Sequence, residues 1–200
     1  MTDHPVHYNN RFYIKNNETD IIKLENEFLF QFYSHLNFDE KACCDFGCGT
    51  GYWTEALFNL GATIIGTDIS AEMLNFCFKN NTKATYVAFD EASKLRYDYI
   101  FINWVFQEIV DNKDLLNTME ILSNITHKGS KIFLVDNVLP DPNKAQIINN
   151  DDLGEIFKYV DGKLLRFFSD KKLESIFRSF GFSNIMRKEF GDSFICVFEN

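Results

Sequence analysis

Along this chain, short apolar runs take turns with segments whose apolar residues recur three or four positions apart. The runs at 42–46 (ACCDF), 62–68 (ATIIGTD), 84–90 (ATYVAFD), 98–104 and 130–136 (SKIFLVD) predict strands. Between and after them, helical spacing predicts helices at about 52–60, 71–79, 112–125 and 169–180. Ahead of the first strand, Ile21, Leu24, Phe28, Phe32 and His35 fall near a helical period, so 20–36 reads as an amphipathic helix covering the core. Strands that are continuously apolar and separated by helices imply β-α-β units around a mostly parallel sheet with both faces covered. The fold class is α/β.

The C-terminal end departs from this alternation. Two strands, about 184–190 and 193–199, are separated only by Gly191 and Asp192. Two residues permit a hairpin but no crossover, so the final strand runs antiparallel at or near the sheet edge. In the helix before it, Leu173, Ile176, Phe177 and Phe180 form the apolar stripe, Ser169 stands at the N-cap and Gly181 at the stop. Residues 137–168 have weaker periodicity and read as an excursion over the C-terminal edge of the sheet. The whole chain, 1–200, is read as one domain, with 1–38 as an N-terminal helical cover.

Glycine is scarce, ten residues in all, yet Gly47, Gly49 and Gly51 fall within five positions. The segment Asp45-Phe46-Gly47-Cys48-Gly49-Thr50-Gly51 follows a strand and precedes a helix, which is where a ligand-cradling loop belongs. A dinucleotide fingerprint needs a further glycine at 52, where Tyr52 stands, and no Gly-Lys-Ser or Gly-Lys-Thr completes a P-loop. Asp68 closes the second strand at the spacing where an acidic side chain meets ribose hydroxyls. Asp90 is expected to close the third strand, and Asn103 with Trp104 the fourth. Four strand ends thus bring polar groups to one edge, the edge at which open α/β sheets bind ligands.

Composition narrows the partners. Twenty Lys and Arg against twenty-nine Asp and Glu give a net charge of −9, which repels a phosphate backbone, so no nucleic-acid partner is expected. No apolar run is long enough to span a membrane, and MTDHPVHYNN has neither a basic nor an apolar leader region, so a soluble, cytoplasmic chain is expected. Five cysteines without a C-x-x-C pair argue against a disulfide framework, and no His, Cys and acidic set stands at metal-ligand spacing. The twenty-two Phe residues read as core filler.

The Asp45-x-Gly47-x-Gly49-x-Gly51 motif, followed by GTDIS, VAFD and YDYIFINWVFQEI, resembles the class I S-adenosylmethionine-dependent methyltransferases. The resemblance spans roughly residues 8 to 200. It implies a Rossmann-like seven-stranded sheet with an antiparallel final strand, and S-adenosylmethionine as cofactor. It also implies that the loop of Gly47, Cys48, Gly49 and Gly51 lies against the methionine moiety, beside Asp45. Asp68 then binds the ribose, Ile69 packs on adenine, Asp90 bonds the adenine amino group, and Asn103 lies beside the methyl-transfer site.

Methyl transfer by in-line displacement takes its electrophile from the cofactor, so the protein's task is alignment and exclusion of water. Consistently, no Ser-His-Asp or Cys-His set occurs. Candidates for the acceptor side are Trp104, Gln107, Glu108, Asp136 and Asn137, with Glu108 as base or cation partner, Trp104 as an aromatic wall and Asn137 as a polar contact. Small-molecule members often carry His-His or His-Glu where this chain has Gln107-Glu108, which disfavours a histidine base. The INWV and LVDNV segments are also similar to protein α-N-terminal methyltransferases, and Asp136, Asp141, Asp151 and Asp152 suit a cationic acceptor. Tyr52 and Glu108 depart from that subfamily, however. The expected activity is therefore methylation of a small-molecule acceptor. A short-peptide acceptor, or a non-catalytic cofactor-binding scaffold, is the alternative. Tyr8, Arg11 and Tyr13 are placed to cap the cofactor carboxylate.

Overall fold

The computed structural model describes residues 20–81, 83–138 and 145–200. The expected positions Tyr8, Arg11, Tyr13 and Asp141 lie outside them. Strand β1 (Ala42–Phe46) is flanked in parallel by β2 (Thr63–Thr67) and β4 (Tyr99–Asn103), and β3 (Thr85–Tyr86) adds to β2. Strand β5 (Lys131–Asn137) pairs in parallel with β4. The hairpin β9 (Ser183–Phe190) and β10 (Ser193–Glu199) completes the order β3-β2-β1-β4-β5-β10-β9. Only β10 runs against the rest, one position in from the edge. The chain steps outward from β1 to β3 and then returns to β4 on the other side of β1. That reversal places the ligand crevice at the carboxyl ends of β1 and β4.

The helices are α1 (Asp20–Tyr33), α2 (Tyr52–Asn59), α3 (Ala71–Asn80), α4 (Phe89–Ala92), α5 (Asn112–Ile125) and α6 (Asp170–Ser179), with a 3₁₀ turn at Phe106–Glu108. None described is long and apolar enough to cross a membrane. Strand residues alternate between two cores. Cys44, Ile100, Ile102, Leu134 and Phe198 pack under α5 and α6, with Phe177 stacked on Phe198 at 3.7 Å. Cys43, Ile64, Phe101, Phe133 and Val135 pack under α1 and α2, against Leu29, Tyr33, Trp53 and Leu57. Burial on both faces is why these strands read as unbroken apolar runs.

Three local expectations differ from the structure. Helix α1 stops at Tyr33, leaving His35 in a turn. The third strand is confined to Thr85–Tyr86, paired only with Ile65 and Gly66, and the chain then enters α4. Residues 145–167 form a three-stranded antiparallel sheet of β6 (Ala145–Asp151), β7 (Gly154–Tyr159) and β8 (Leu164–Phe167). Strand β6 is solvent-facing along nearly its whole length, so it has no buried face to print a period of two into the sequence.

A fully buried Arg166 anchors this small sheet. Its guanidinium donates to the carbonyls of Ile109 (2.8 Å), Val110 (2.7 Å) and Leu153 (2.6 Å) and to Asn112 Oδ1 (2.6 Å). Asn112 Nδ2 in turn donates to Asp151 Oδ2 at 2.9 Å. The sheet is thereby fixed to the segment that leaves the carboxyl end of β4.

Candidate active site

The glycine loop is held by the chain on both sides. The N–H groups of Gly47 and Cys48 both donate to the Thr67 carbonyl at 2.9 Å, fastening the loop to the end of β2. Gly47, Gly49 and Gly51 all have positive φ, at 78°, 53° and 83°. A Cβ on Gly47 would come within 2.5 Å of Val105 Cγ2, and one on Gly51 would collide with the Asn81 amide and the Tyr86 hydroxyl. Two of the three glycines are thus demanded by close approach of the protein itself as well as by the turn. Asn81 Nδ2 donates to the Thr50 carbonyl at 2.7 Å, and the Tyr86 hydroxyl donates to Glu55 Oε1 at 3.1 Å. Neither residue was legible as part of the site, because Asn81 reaches the loop from 31 residues away and Tyr86 from 35.

Cys48 lies in a small cluster with Leu74, Cys77 and Tyr86. Its thiol is pushed well up by contact with the Cys77 thiol and by burial, so it is a neutral wall to the loop. Cys77 Sγ donates to the Gly49 carbonyl at 3.2 Å. Among the described residues no group of His, Cys, Asp and Glu is arranged to hold a metal ion.

Two carboxyls frame the loop. Asp68 Oδ2 accepts from the Gly49 N–H at 2.9 Å and Oδ1 from the Ser70 N–H at 2.8 Å, and burial raises its pKa. A carboxylate has about four acceptor positions, so Asp68 keeps capacity for a ligand hydroxyl beyond its backbone partners Gly49, Ser70 and Ile69. Next to it, Ile69 is 87% exposed, a large aliphatic side chain standing open beside the loop. Asp45 is only 2% exposed and accepts from Thr54 Oγ1 at 2.6 Å. Burial pushes its pKa up to about 7, with the Asp68 charge adding to the rise and Thr54 opposing it.

Asp90 is corrected in position. It does not end a strand but lies exposed in the first turn of α4, where carboxylates are favoured by the helix dipole. The third strand ends at Tyr86, and Asp90 belongs to the helix that follows it.

At the end of β4 the register decides what meets the loop. Asp45 pairs with Phe101, so Asn103, two residues on, stands level with Gly47. The buried Tyr33 hydroxyl of α1 donates to Asn103 Oδ1 at 2.8 Å. Trp104 adopts φ 57° and is buried with Tyr33, Trp53 and Val135, so most of its ring is committed to packing. Its Nε1 donates to Ser193 Oγ at 3.1 Å, and that hydroxyl donates to Asn137 Oδ1 at 3.4 Å. Asp136 is buried at the end of β5. Glu108, closing the 3₁₀ turn, accepts from Lys163 Nζ at 2.9 Å. Lys163 lies between β7 and β8, and sequence reading missed this partner because 55 residues separate the pair.

The nucleoside part of S-adenosylmethionine fits the open side of this edge. The exposed Ile69 offers a face for a planar base, and Asp68 offers acceptors for a pair of hydroxyls. Toward β4, the Asn103 Nδ2 donor is buried and makes no hydrogen bond among the described residues. The structure is similar to the PH0226 protein of Pyrococcus horikoshii, at 15% identity over 93% of each chain and a TM-score of 0.67. It is similar to an S-adenosylmethionine-dependent methyltransferase of Clostridium acetobutylicum, at 17% identity over 91% of this chain and 92% of that one, with a TM-score of 0.62. A third similar structure is the 1,6-didemethyltoxoflavin-N1-methyltransferase of Burkholderia thailandensis with bound 1,6-didemethyltoxoflavin and S-adenosylhomocysteine. It is 13% identical over 88% of this chain and 80% of that one, with a TM-score of 0.63. No curated protein matches the chain. The methyltransferase-domain family profile matches residues 17–186, most of the chain, so the chain belongs to the methyltransferase-domain family, with the fold of the class I S-adenosylmethionine-dependent methyltransferases.

Proposed function

We propose that this protein methylates a small-molecule acceptor held between the carboxyl ends of β4 and β5 and the three-stranded sheet. The observation that carries this reading is the Arg166 anchor, which fixes the small sheet against the segment after the 3₁₀ turn, and with it Lys163 against Glu108. A flat or open groove for a folded protein substrate is the arrangement least served by such an anchor. The small heterocycle bound by the Burkholderia relative is in keeping with this, as an analogy of fold alone.

When bound, the cofactor supplies an electrophilic methyl group on a positively charged sulfur. The chain's own residues then do three things. Asp68 accepts from the ribose hydroxyls, Ile69 packs on the adenine and Asp90 bonds its amino group from α4. The Gly47, Cys48, Gly49 and Gly51 loop lies along the methionine end above Asp45, whose carboxyl offsets the sulfonium charge once it gives up the proton that burial holds up to about pH 7. On the acceptor side, Glu108 and Asn137 orient the nucleophile, the first fixed by Lys163 and the second by Ser193, while Trp104 forms a buried floor. Glu108 takes the acceptor's proton where the acceptor must lose one.

Isothermal titration with S-adenosylhomocysteine, followed by labelled methyl transfer to small amines, phenols and N-heterocycles and to short peptides, tests the reading. Transfer to small molecules is expected. Transfer confined to peptide α-amines would replace it with the peptide-methyltransferase reading, and tight binding without transfer to any class would make the protein a scaffold.

A further inference from the structure

Helix α1 lies outside the motif that marks the cofactor site, yet it delivers one polar atom to it. Tyr33 is fully buried and its ring is clamped edge-on by Phe101 (5.0 Å, 83°), Trp53 (5.6 Å, 87°) and Phe133 (6.2 Å, 87°). The ring therefore has one available orientation, and its hydroxyl meets Asn103 Oδ1 at 2.8 Å. Burial first, and the nearby Asp45 carboxylate second, hold the phenol well above its usual pKa, so it remains a donor. With Oδ1 engaged, the other half of the amide is decided: Nδ2 is a buried donor with no partner among the described residues. A buried N–H without an acceptor is costly, which marks it as awaiting one.

Strand order says which part of the cofactor that acceptor belongs to. The nucleoside end is assigned to Asp68 and Ile69 just beyond β2, and β1 with its glycine loop lies between β2 and β4. An extended cofactor crossing the loop brings its amino-acid end to Asn103. That end carries an ammonium, which only donates, and a carboxylate, which only accepts. A fixed N–H donor selects the carboxylate.

We propose that Tyr33 is a positioning residue for the cofactor, setting the Asn103 amide so that Nδ2 receives the carboxylate of the cofactor's amino-acid end. The inference rests on the cofactor site proposed above. It makes α1 a part of the binding site and not only a cover for the core.

The test compares two ligands that share the adenosine and the sulfur: S-adenosylhomocysteine, which has the amino-acid end, and 5′-methylthioadenosine, which lacks it. Tyr33→Phe keeps the clamped ring and removes only the hydroxyl. By titration calorimetry its affinity for S-adenosylhomocysteine should fall about tenfold while that for 5′-methylthioadenosine stays within about twofold. Equal loss for both ligands would mean a merely structural role, and no loss for S-adenosylhomocysteine would overturn the proposal. Asn103→Asp, which replaces the donor by a second acceptor, should weaken S-adenosylhomocysteine selectively. Unchanged or tighter binding would show that the amide faces the ammonium instead and would also overturn it. Failure of the parent protein to bind either ligand would instead strike at the cofactor site itself.

Discussion

Asp45 is a carboxyl held out of the water that its side chain prefers. A carboxyl that is 2% exposed with a pKa near 7 keeps its proton in the folded chain while the unfolded chain has already released it. Between about pH 4 and 7 the native state binds more protons, so stability falls as pH rises through that window and is level above it. At roughly 1.4 kcal/mol per unit, the loss is on the order of a few kcal/mol. Asp45→Asn should abolish that decline and melt higher than the parent at pH 8, and parallel melting curves from pH 5 to 8 would show that Asp45 is not the titrating group. Asp68→Ala should weaken S-adenosylhomocysteine by roughly 2–4 kcal/mol through loss of charge-assisted hydrogen bonds, with the freed Gly49 N–H adding to the effect. Titration of that variant at parental affinity would remove the ribose role. Both aspartates and the three glycines were readable from the sequence because their signal is local, a strand followed by a turn that demands positive φ. Asn81, Tyr86 and Tyr33 were not, since a lone Asn or Tyr carries no such signal until its partner is known.

Among the elements, the strands and helices that bury a face were the ones the sequence announced. Helix Asn112–Ile125 and strands Ala42–Phe46 and Ser193–Glu199 lie where their periods place them. The short β3 was overextended to Asp90 because ATYVAFD is apolar enough to be a strand, while the sheet offers it only two residues of partner. The three-stranded sheet was hidden for the opposite reason: its outer strand is solvent-exposed on both faces and is held by ladder hydrogen bonds and Arg166. Arg166→Leu should therefore act on that element. It strands three carbonyls and the Asn112 amide oxygen in a buried site, at a cost of about 3 kcal/mol or more. Hydrogen exchange should quicken across β7 and β8 while β1 and β4 keep their protection. Uniform loss of protection would show that the small sheet is not a separately opening unit.

At the scale of the molecule, a ligand that spans β2, β1 and β4 ties together strands that are distant in sequence, so it should stabilise the whole sheet. At a hundredfold excess over its dissociation constant, S-adenosylhomocysteine contributes about 2.7 kcal/mol, a melting shift of about 5–10 °C for a domain of this size, and NADH should give none. A shift with NADH and none with S-adenosylhomocysteine would restore the dinucleotide reading that Tyr52 argues against. By itself the sequence determined the class of fold, the order of the elements of the main sheet and the turn that the glycine loop makes, because burial periodicity and turn conformation are properties of neighbouring residues. Only the tertiary structure decided that Tyr33 meets Asn103 across 70 positions, that Glu108 meets Lys163 and that Arg166 reaches Ile109. It also set the Asp45 carboxyl near neutrality. Polar partnership and the depth of a carboxyl depend on strand order and register, and those are set by crossovers that no local pattern records.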